Sequence, residues 1–281
     1  MAKWAEILQI SRSGYYDWFS RREAAKAKRK KEKDLIRKIF EEGEGTYGPE
    51  RICGIIRRSG GHMGRSKCAR HMASMSLDSS HNKKRSRSLT NSKKARGDEY
   101  PNLLRKETPI VPRMGLSSDI TYLRSGEGFE YLCIIKDIVT GEVLGRHSAA
   151  RMTKELVIKT FLAMLSRYGR ELNKGFIFHD DRGSQYTSKA FMELVKASGG
   201  RQSFSRVGMP GDNAWSESFF ATMKKERFHW QHYETREQIR AAVFQYIEVF
   251  YNSKRVQKRL GYLSPREYFA RLQIEELSLV A

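Results

Sequence analysis

The sequence predicts an α/β protein, with helices on both faces of a sheet, a small helical domain before it and further helices after it. Three observations carry this. Residues 33–77 alternate apolar helical segments with glycine-rich breaks. From residue 110 three strand-like runs lead into a helix and then into alternating strand and helix, the order that layers helices on a sheet. The stretch after residue 231 returns to helical apolar spacing.

In chain order, residues 1–31 hold a short amphipathic piece and then "RREAAKAKRKKEK", basic and helix-prone. Within residues 32–78, "DLIRKIFEE", "PERICGIIRRSG" and "RSKCARHMASMSL" read as three short helices, broken at "GEGTYG" and "GGHMG". Short helices with tight turns in a basic chain fit a helix-turn-helix module, and equally a bundle that never touches DNA. Residues 79–108 read as a linker. Seven Lys/Arg fall between positions 83 and 96, with no acid before Asp98 and almost nothing apolar.

Residues 109–230 carry the sheet. "LSSDITYL", "FEYLCIIKDIV" and "GEVLGRHSA" are strands by their β-branched and aromatic content. "TKELVIKTFLAMLSRYG" has helical spacing and closes at Gly169, while "GFIFHD" is the nearly all-apolar run of a buried parallel strand. "SKAFMELVKAS" follows as a helix, "RQSFS" as a short strand, and "GDNAWSESFFATMKKERF" as a helix capped near Asp212 or Asn213. Residues 231–281 add "TREQIRAAVFQYIEVFYNSKRVQKRL" and "SPREYFARLQIEEL", both helical.

Charge narrows the partners. The 281 residues hold 53 Lys+Arg against 32 Asp+Glu, a formal net charge of +21. A polyphosphate is the usual counterpart of such an excess, although a ribosomal protein or a binder of anionic membranes carries the same number. No apolar run reaches the roughly 18–20 residues of a membrane span, and the start lacks a secretory pattern. Cys53, Cys68 and Cys133 are far apart and odd in number, which predicts free thiols in a reducing compartment. The expected location is the cytoplasm. Cys53, His62, Cys68 and His71 have spacings that fit no zinc pattern.

Three acids fall at special places on this scaffold. Asp119 lies within the first strand, Asp181 just past the end of the buried strand, and Glu217 on the first turns of the capped helix, with 35 residues between it and Asp181. Phosphoryl transfer on nucleic acid uses two hard divalent cations, and hard cations take carboxylate oxygens. Acids gathered in a basic protein therefore suggest a cation site.

The pieces "DITYL", "HDDRGSQYTS", "SFSRVGMPGDNAWSESFFATMKKE" and "YNSKRVQKRLGYLSP", with "SRSGYYDWFSR" and "GTYGPERI" nearer the start, resemble the retroviral-integrase-like DDE transposases of bacterial insertion sequences, in the IS-three group. The resemblance spans nearly the whole chain. It implies an RNase H-like catalytic core in which Asp119, Asp181 and Glu217 hold two Mg²⁺ ions, with Mn²⁺ able to substitute. It also implies cleavage at the 3′ end of the element and strand transfer into target DNA. A homo-oligomer on paired DNA ends is expected, in a bacterial cell and near the nucleoid. So is a frameshift fusion to an upstream frame carrying its own helix-turn-helix and leucine zipper.

The family motif has serine where this chain has Asp180, so its acid falls on Asp181. Alternation along a strand likewise sends only one of the pair toward the metals, which leaves Asp180 facing solvent or backing the site. Lys224 follows Glu217 by seven residues and returns to nearly the same face. The resemblance places a substrate-contacting lysine there, while the run "KKER" also fits a merely solvated face. His179 is expected to support the carboxylates, with Asn213 beside it. Arg182 and the linker cations Lys83, Lys84, Arg85, Arg87, Lys93 and Lys94 are the expected DNA contacts. Leu116 and Gln257 stand where the family commonly has Trp and His. Two other readings use the same residues: a nuclease that cuts without joining, and an inactive transposase-derived repressor.

Overall fold

The computed structural model describes residues 11–80, 101–105, 107–206 and 210–280. The chain forms two compact units, Met1–Lys83 and Lys84–Ala281. The linker cations Lys83, Lys84, Arg85, Arg87, Lys93 and Lys94 lie outside the described residues.

The first unit is three helices: α1 (Arg12–Glu42), α2 (Pro49–Arg58) and α3 (Arg65–Ser74). Ser11 caps α1 by accepting a hydrogen bond from the Gly14 amide at 3.0 Å, and Pro49 opens α2 with its φ already set. α1 runs unbroken across residues 31 and 32, where the sequence suggested a change of segment. Alanine, lysine, arginine and glutamate are all good helix formers, and no Gly or Pro interrupts them between Arg21 and Glu42. Only the far half of α1 packs. Ile36 and Ile39 meet Ile52, Cys53 and Ile56 of α2 and Cys68 and Met72 of α3 in a small core. Glu32 ties α1 to α3, accepting from Lys67 Nζ at 2.6 Å and pairing with His71 Nε2 at 3.1 Å. Cys53 and Cys68 are buried free thiols; burial and the neighbouring Cys53 push the Cys68 thiol up to about 12.

The second unit is built on a five-stranded sheet of order β3-β2-β1-β4-β5. β1 (Gly115–Ser125), β2 (Gly128–Asp137) and β3 (Val143–Ala149) form an antiparallel meander. α4 (Lys154–Tyr168) then crosses to β4 (Ile177–Asp180), and α5 (Lys189–Ala197) to β5 (Arg201–Phe204). β4 pairs parallel with β1, and β5 parallel with β4. This is the arrangement expected of an RNase H-like core.

Side-chain alternation divides the sheet into two faces. On one, Leu116, Cys133, Ile135 and Phe178 pack against Leu156, Phe161 and Met164 of α4 and Phe191 and Val195 of α5. Phe161, Phe178 and Phe191 meet edge to face at 5.4–5.6 Å, the geometry that ring quadrupoles favour. The other face is covered by α6 (Ala214–Met223) and α7 (Arg236–Phe244). α6 passes into a π-turn over Lys224–Phe228, and α7 into another over Gln245–Tyr251.

The tail differs from the continuous helix that the sequence suggested for 235–260. The helical path ends at Tyr251. Asn252 leaves it to grip β3, donating to the Val143 carbonyl and accepting from its amide, both at 2.9 Å. Gln257 and Leu263 then close a short bridge around Lys258–Leu260 before α8 (Pro265–Val280) begins. Charged clamps bind this tail to the sheet. Arg113, at φ +65°, reaches Asp137, Glu142 and Glu171 beneath the Phe269 ring. Arg266 joins Glu142 to Glu248.

Candidate active site

The three acids are brought to one end of the sheet by strand register. In the parallel β1–β4 pair, Ser117 lies opposite His179. Two residues further along the two chains come Asp119 and Asp181. Alternation gives Asp119 the same face as Ser117, and Asp181 the same face as His179. That is the face α6 covers, because Ser117 Oγ meets Ser216 Oγ at 2.9 Å and the His179 ring meets that of Trp215. Ser216 immediately precedes Glu217, so the serine pair fixes the first turn of α6 two residues upstream of Asp119. Asn213 completes the join. It stands at the start of α6 without a side-chain cap; its Nδ2 instead donates to the Ser118 carbonyl at 2.9 Å. Asn213 is thus a strand-to-helix tie, where the sequence suggested a helix cap.

The acids influence one another electrostatically. Burial first, then the charge of Asp181, pushes the half-buried Asp119 up to about 8; Glu217 adds to the rise, while Lys224 opposes it. Glu217 is raised by lost hydration and by Asp181. Asp181 is also raised by lost hydration, against a hydrogen bond from the Gly183 amide at 3.2 Å. Asp181 and Glu217 nevertheless expose much of their surface, and exposure decides what solvent or substrate can reach. Carboxylates that destabilise one another in this way are relieved by a cation. Among the described residues, no three His, Cys, Asp or Glu side chains stand close enough to form a ready-made ion cage. The fit to a divalent ion rests on the donor set: hard oxygens from three separate elements, two of them open to solvent.

Asp180 departs from the solvent-facing possibility read from sequence. It is fully buried on the opposite face from Asp181, where Gln202 Nε2 donates to its Oδ2 at 2.9 Å and to the Tyr186 carbonyl at 3.0 Å. Its strand runs between two others, and Phe178, two residues back, sits in the aromatic core. Burial raises the Asp180 pKa well above the ordinary carboxylate range.

His179 is buried and pushed down to about 4 by lost hydration. Its Nδ1 meets Ser203 Oγ at 2.9 Å and its Nε2 meets Ser205 Oγ at 3.1 Å. Both nitrogens thus serve β5 and the chain beyond it, and Asp212 partly offsets the lost hydration. Arg182 donates from Nε to the Ser205 carbonyl at 2.8 Å. Lys224 stands at the start of the π-turn, with Nζ 4.8 Å from the centre of the Tyr122 ring and within the field of Asp119.

Other members of the site are not evident from sequence. Glu226, in the same "KKER" run, is no solvated charge. Its buried carboxylate takes two 2.7 Å hydrogen bonds from Arg255 and a third from Tyr246 Oη, locking the Lys224 turn to the tail. The available signal was the placing of Arg255 in the quoted "YNSKRVQKRL" segment. Ser117 and Ser216 carried a weaker one, as small polar residues beside two acids. Lys136, buried on this face, donates to the Trp215 carbonyl at 2.9 Å.

Comparison with known proteins identifies the family. Residues 112–210 match a family described as an integrase core domain, residues 217–271 a second family of the same description, and residues 27–85 an HTH-like domain. The uncharacterized 31 kDa protein of insertion element IS600 from Shigella sonnei is 34% identical over 266 residues, covering 94% of this chain and 96% of its own. The transposase for element IS904 from Lactococcus lactis is 31% identical over 84% of this chain and 92% of its own. Transposase InsF for insertion sequence IS3A from Escherichia coli is 32% identical, over 93% and 91%. Among solved structures, the HTLV-2 integrase catalytic core domain in complex with magnesium matches at 16% identity and a TM-score of 0.43, covering 57% of this chain and 97% of that one.

Proposed function

Because this chain belongs to the IS3-group transposases of bacterial insertion sequences, we propose that Asp119, Asp181 and Glu217 form a single DDE site that both cuts and joins DNA. The observation that carries the reading is their convergence. In its support, the parallel register of β1 and β4 ends two residues short of Asp119 and Asp181, the serine contact holds the first turn of α6 to β1 next to Glu217, and the charge of Asp181 acts on both Asp119 and Glu217.

In this mechanism the acids hold two Mg²⁺ ions, or Mn²⁺ in their place, which when bound activate the attacking oxygen and offset charge on the leaving oxygen. Asp119 would contribute from the sheet, Asp181 from just past the end of β4 and Glu217 from the helix, so that bound ions would be held from separate elements. Lys224 reaches the same phosphate with its ammonium. Asn213 and the Ser117–Ser216 pair keep α6 at a fixed height above β1, while His179 holds the end of β4 to β5 as a neutral brace. Water attacks the phosphodiester at the element's end and frees a 3′-OH. That hydroxyl then attacks a phosphodiester of the target in the same place, with no covalent enzyme intermediate.

Arg182 and the cations of residues 83–94 would follow the DNA backbone. A dimer or larger assembly on two ends, with end recognition supplied by fusion to an upstream helix-turn-helix and leucine-zipper frame, completes the reading. The test is a labelled oligonucleotide carrying the element's end, resolved for cut and joined products. Wild type is expected to give both in Mg²⁺, and Asp119→Asn, Asp181→Asn and Glu217→Gln neither. Cut product without joined product would mark a nuclease. Salt-sensitive DNA binding without any nicking would mark a repressor.

A further inference from the structure

β1 outruns its parallel neighbour. β4 pairs with it only at Gly115–Ser117, yet β1 continues to Ser125. On that extension the strand displays two rings to water. Tyr122 is 40% exposed, and Phe129, across the β1–β2 hairpin, is 46% exposed. They touch edge to face with centroids 5.2 Å apart, one step diagonal in register, since Tyr122 lies opposite Tyr131 and Phe129 opposite Arg124. A cross-strand aromatic pair of this kind steadies a hairpin, but steadying it does not require both rings to stay so open.

Cations flank the pair, and the acids Glu127 and Glu130 beside Phe129 are already engaged by Arg236 and Arg240. Tyr122 and Asp119 alternate to opposite faces of β1, but Lys224 Nζ lies 4.8 Å from the Tyr122 ring centre and its charge acts on Asp119, so one side chain lies near both at the unpaired edge of β1. Exposed Arg124 shares the strand face of Tyr122, and Arg236 Nε donates to the Phe129 carbonyl at 3.2 Å. An aromatic surface edged by cations suits a stacked base with its phosphates, since every base has a π-face and a charged backbone.

We propose that Tyr122 and Phe129 form a stacking platform for an unpaired nucleobase, on the strand whose phosphate lies at Asp119, Asp181 and Glu217. The site takes single-stranded nucleic acid and is blind to base identity, because it offers rings rather than a hydrogen-bonding edge. It rests on the placement of the reacting phosphate argued above.

The test uses the full chain and two probes in EDTA: a short duplex with a single-stranded tail containing 2-aminopurine, and the same duplex blunt-ended. Wild type is expected to prefer the tailed duplex and to quench the 2-aminopurine on binding. Tyr122→Leu and Phe129→Leu are each expected to lower the tailed-to-blunt affinity ratio roughly five- to hundredfold, and Tyr122→Trp to restore it. Because the ratio is taken on one preparation, loss of folded protein cancels. A wild-type ratio of one, or a ratio unchanged in both leucine variants, overturns the platform; a protein partner for the rings would give the second result. Strand cutting in Mg²⁺ is measured alongside. Tail preference without cutting sinks the reading of the acids alone, and cutting with an unchanged ratio in the leucine variants sinks the platform alone.

Discussion

Replacing Asp181 by Asn is expected to abolish strand cutting, whereas Asp180→Asn is expected to leave it close to wild type in the same oligonucleotide assay. The two acids are adjacent in sequence, but Asp180 is buried against Gln202, away from solvent, and Asn reproduces its shape. Asp180→Ala, which removes the Gln202 partner, is expected to cost about 1–3 kcal/mol in denaturant unfolding. That the two side chains part to different surroundings was legible in sequence, through strand alternation. The depth at which Asp180 lies was not, because it depends on β5 and Gln202 closing over the strand end. His179 illustrates the same limit. A histidine beside acids suggests a carboxylate partner, and only the fold shows Ser203 and Ser205 taking both of its nitrogens.

At the scale of elements, the clamp beneath Lys224 carries the strongest prediction. Arg255→Met leaves the buried Glu226 carboxylate without its pair and is expected to cost about 3–5 kcal/mol of unfolding free energy. Changing both residues to apolar ones is expected to recover much of that, since the loss comes from an uncompensated buried charge. In the first unit, Lys67 and His71 hold Glu32 below its ordinary 4.5. A carboxylate lowered in the folded state adds stability above its unfolded pKa and loses it as pH falls through the folded value. Thermal melting of the three-helix unit, followed by circular dichroism, is therefore expected to weaken between pH 5 and pH 3 by about 0.5–1 kcal/mol after solvent screening, and Glu32→Gln to remove that dependence. Helix and strand identities in both units were readable from periodicity and glycine breaks. The end of the 235–260 helix was not. Asn252, Arg255 and Gln257 look helix-compatible, and their turning away reflects tertiary bonds to Val143, Glu226 and Leu263.

For the whole molecule, the net charge of +21 predicts DNA binding dominated by phosphate contacts. Affinity of the full chain for a duplex is expected to fall at least tenfold between roughly 50 and 200 mM salt. Asp181→Asn is expected to leave that slope unchanged while removing catalysis. The two-faced packing of the second unit followed from the sequence pattern, because each strand and crossover helix announces itself locally, while the RNase H-like arrangement followed only from the family resemblance. What binds the tail to the sheet did not, since Arg113, Glu142, Glu248 and Arg266 form their network across more than a hundred residues of chain. The most direct test is a crystal structure of the full chain soaked in Mn²⁺, read by anomalous scattering. Two peaks roughly 3.5–4 Å apart, ringed by carboxylate oxygens of Asp119, Asp181 and Glu217, are the predicted result. Manganese bound elsewhere, with those three side chains bare, would contradict it.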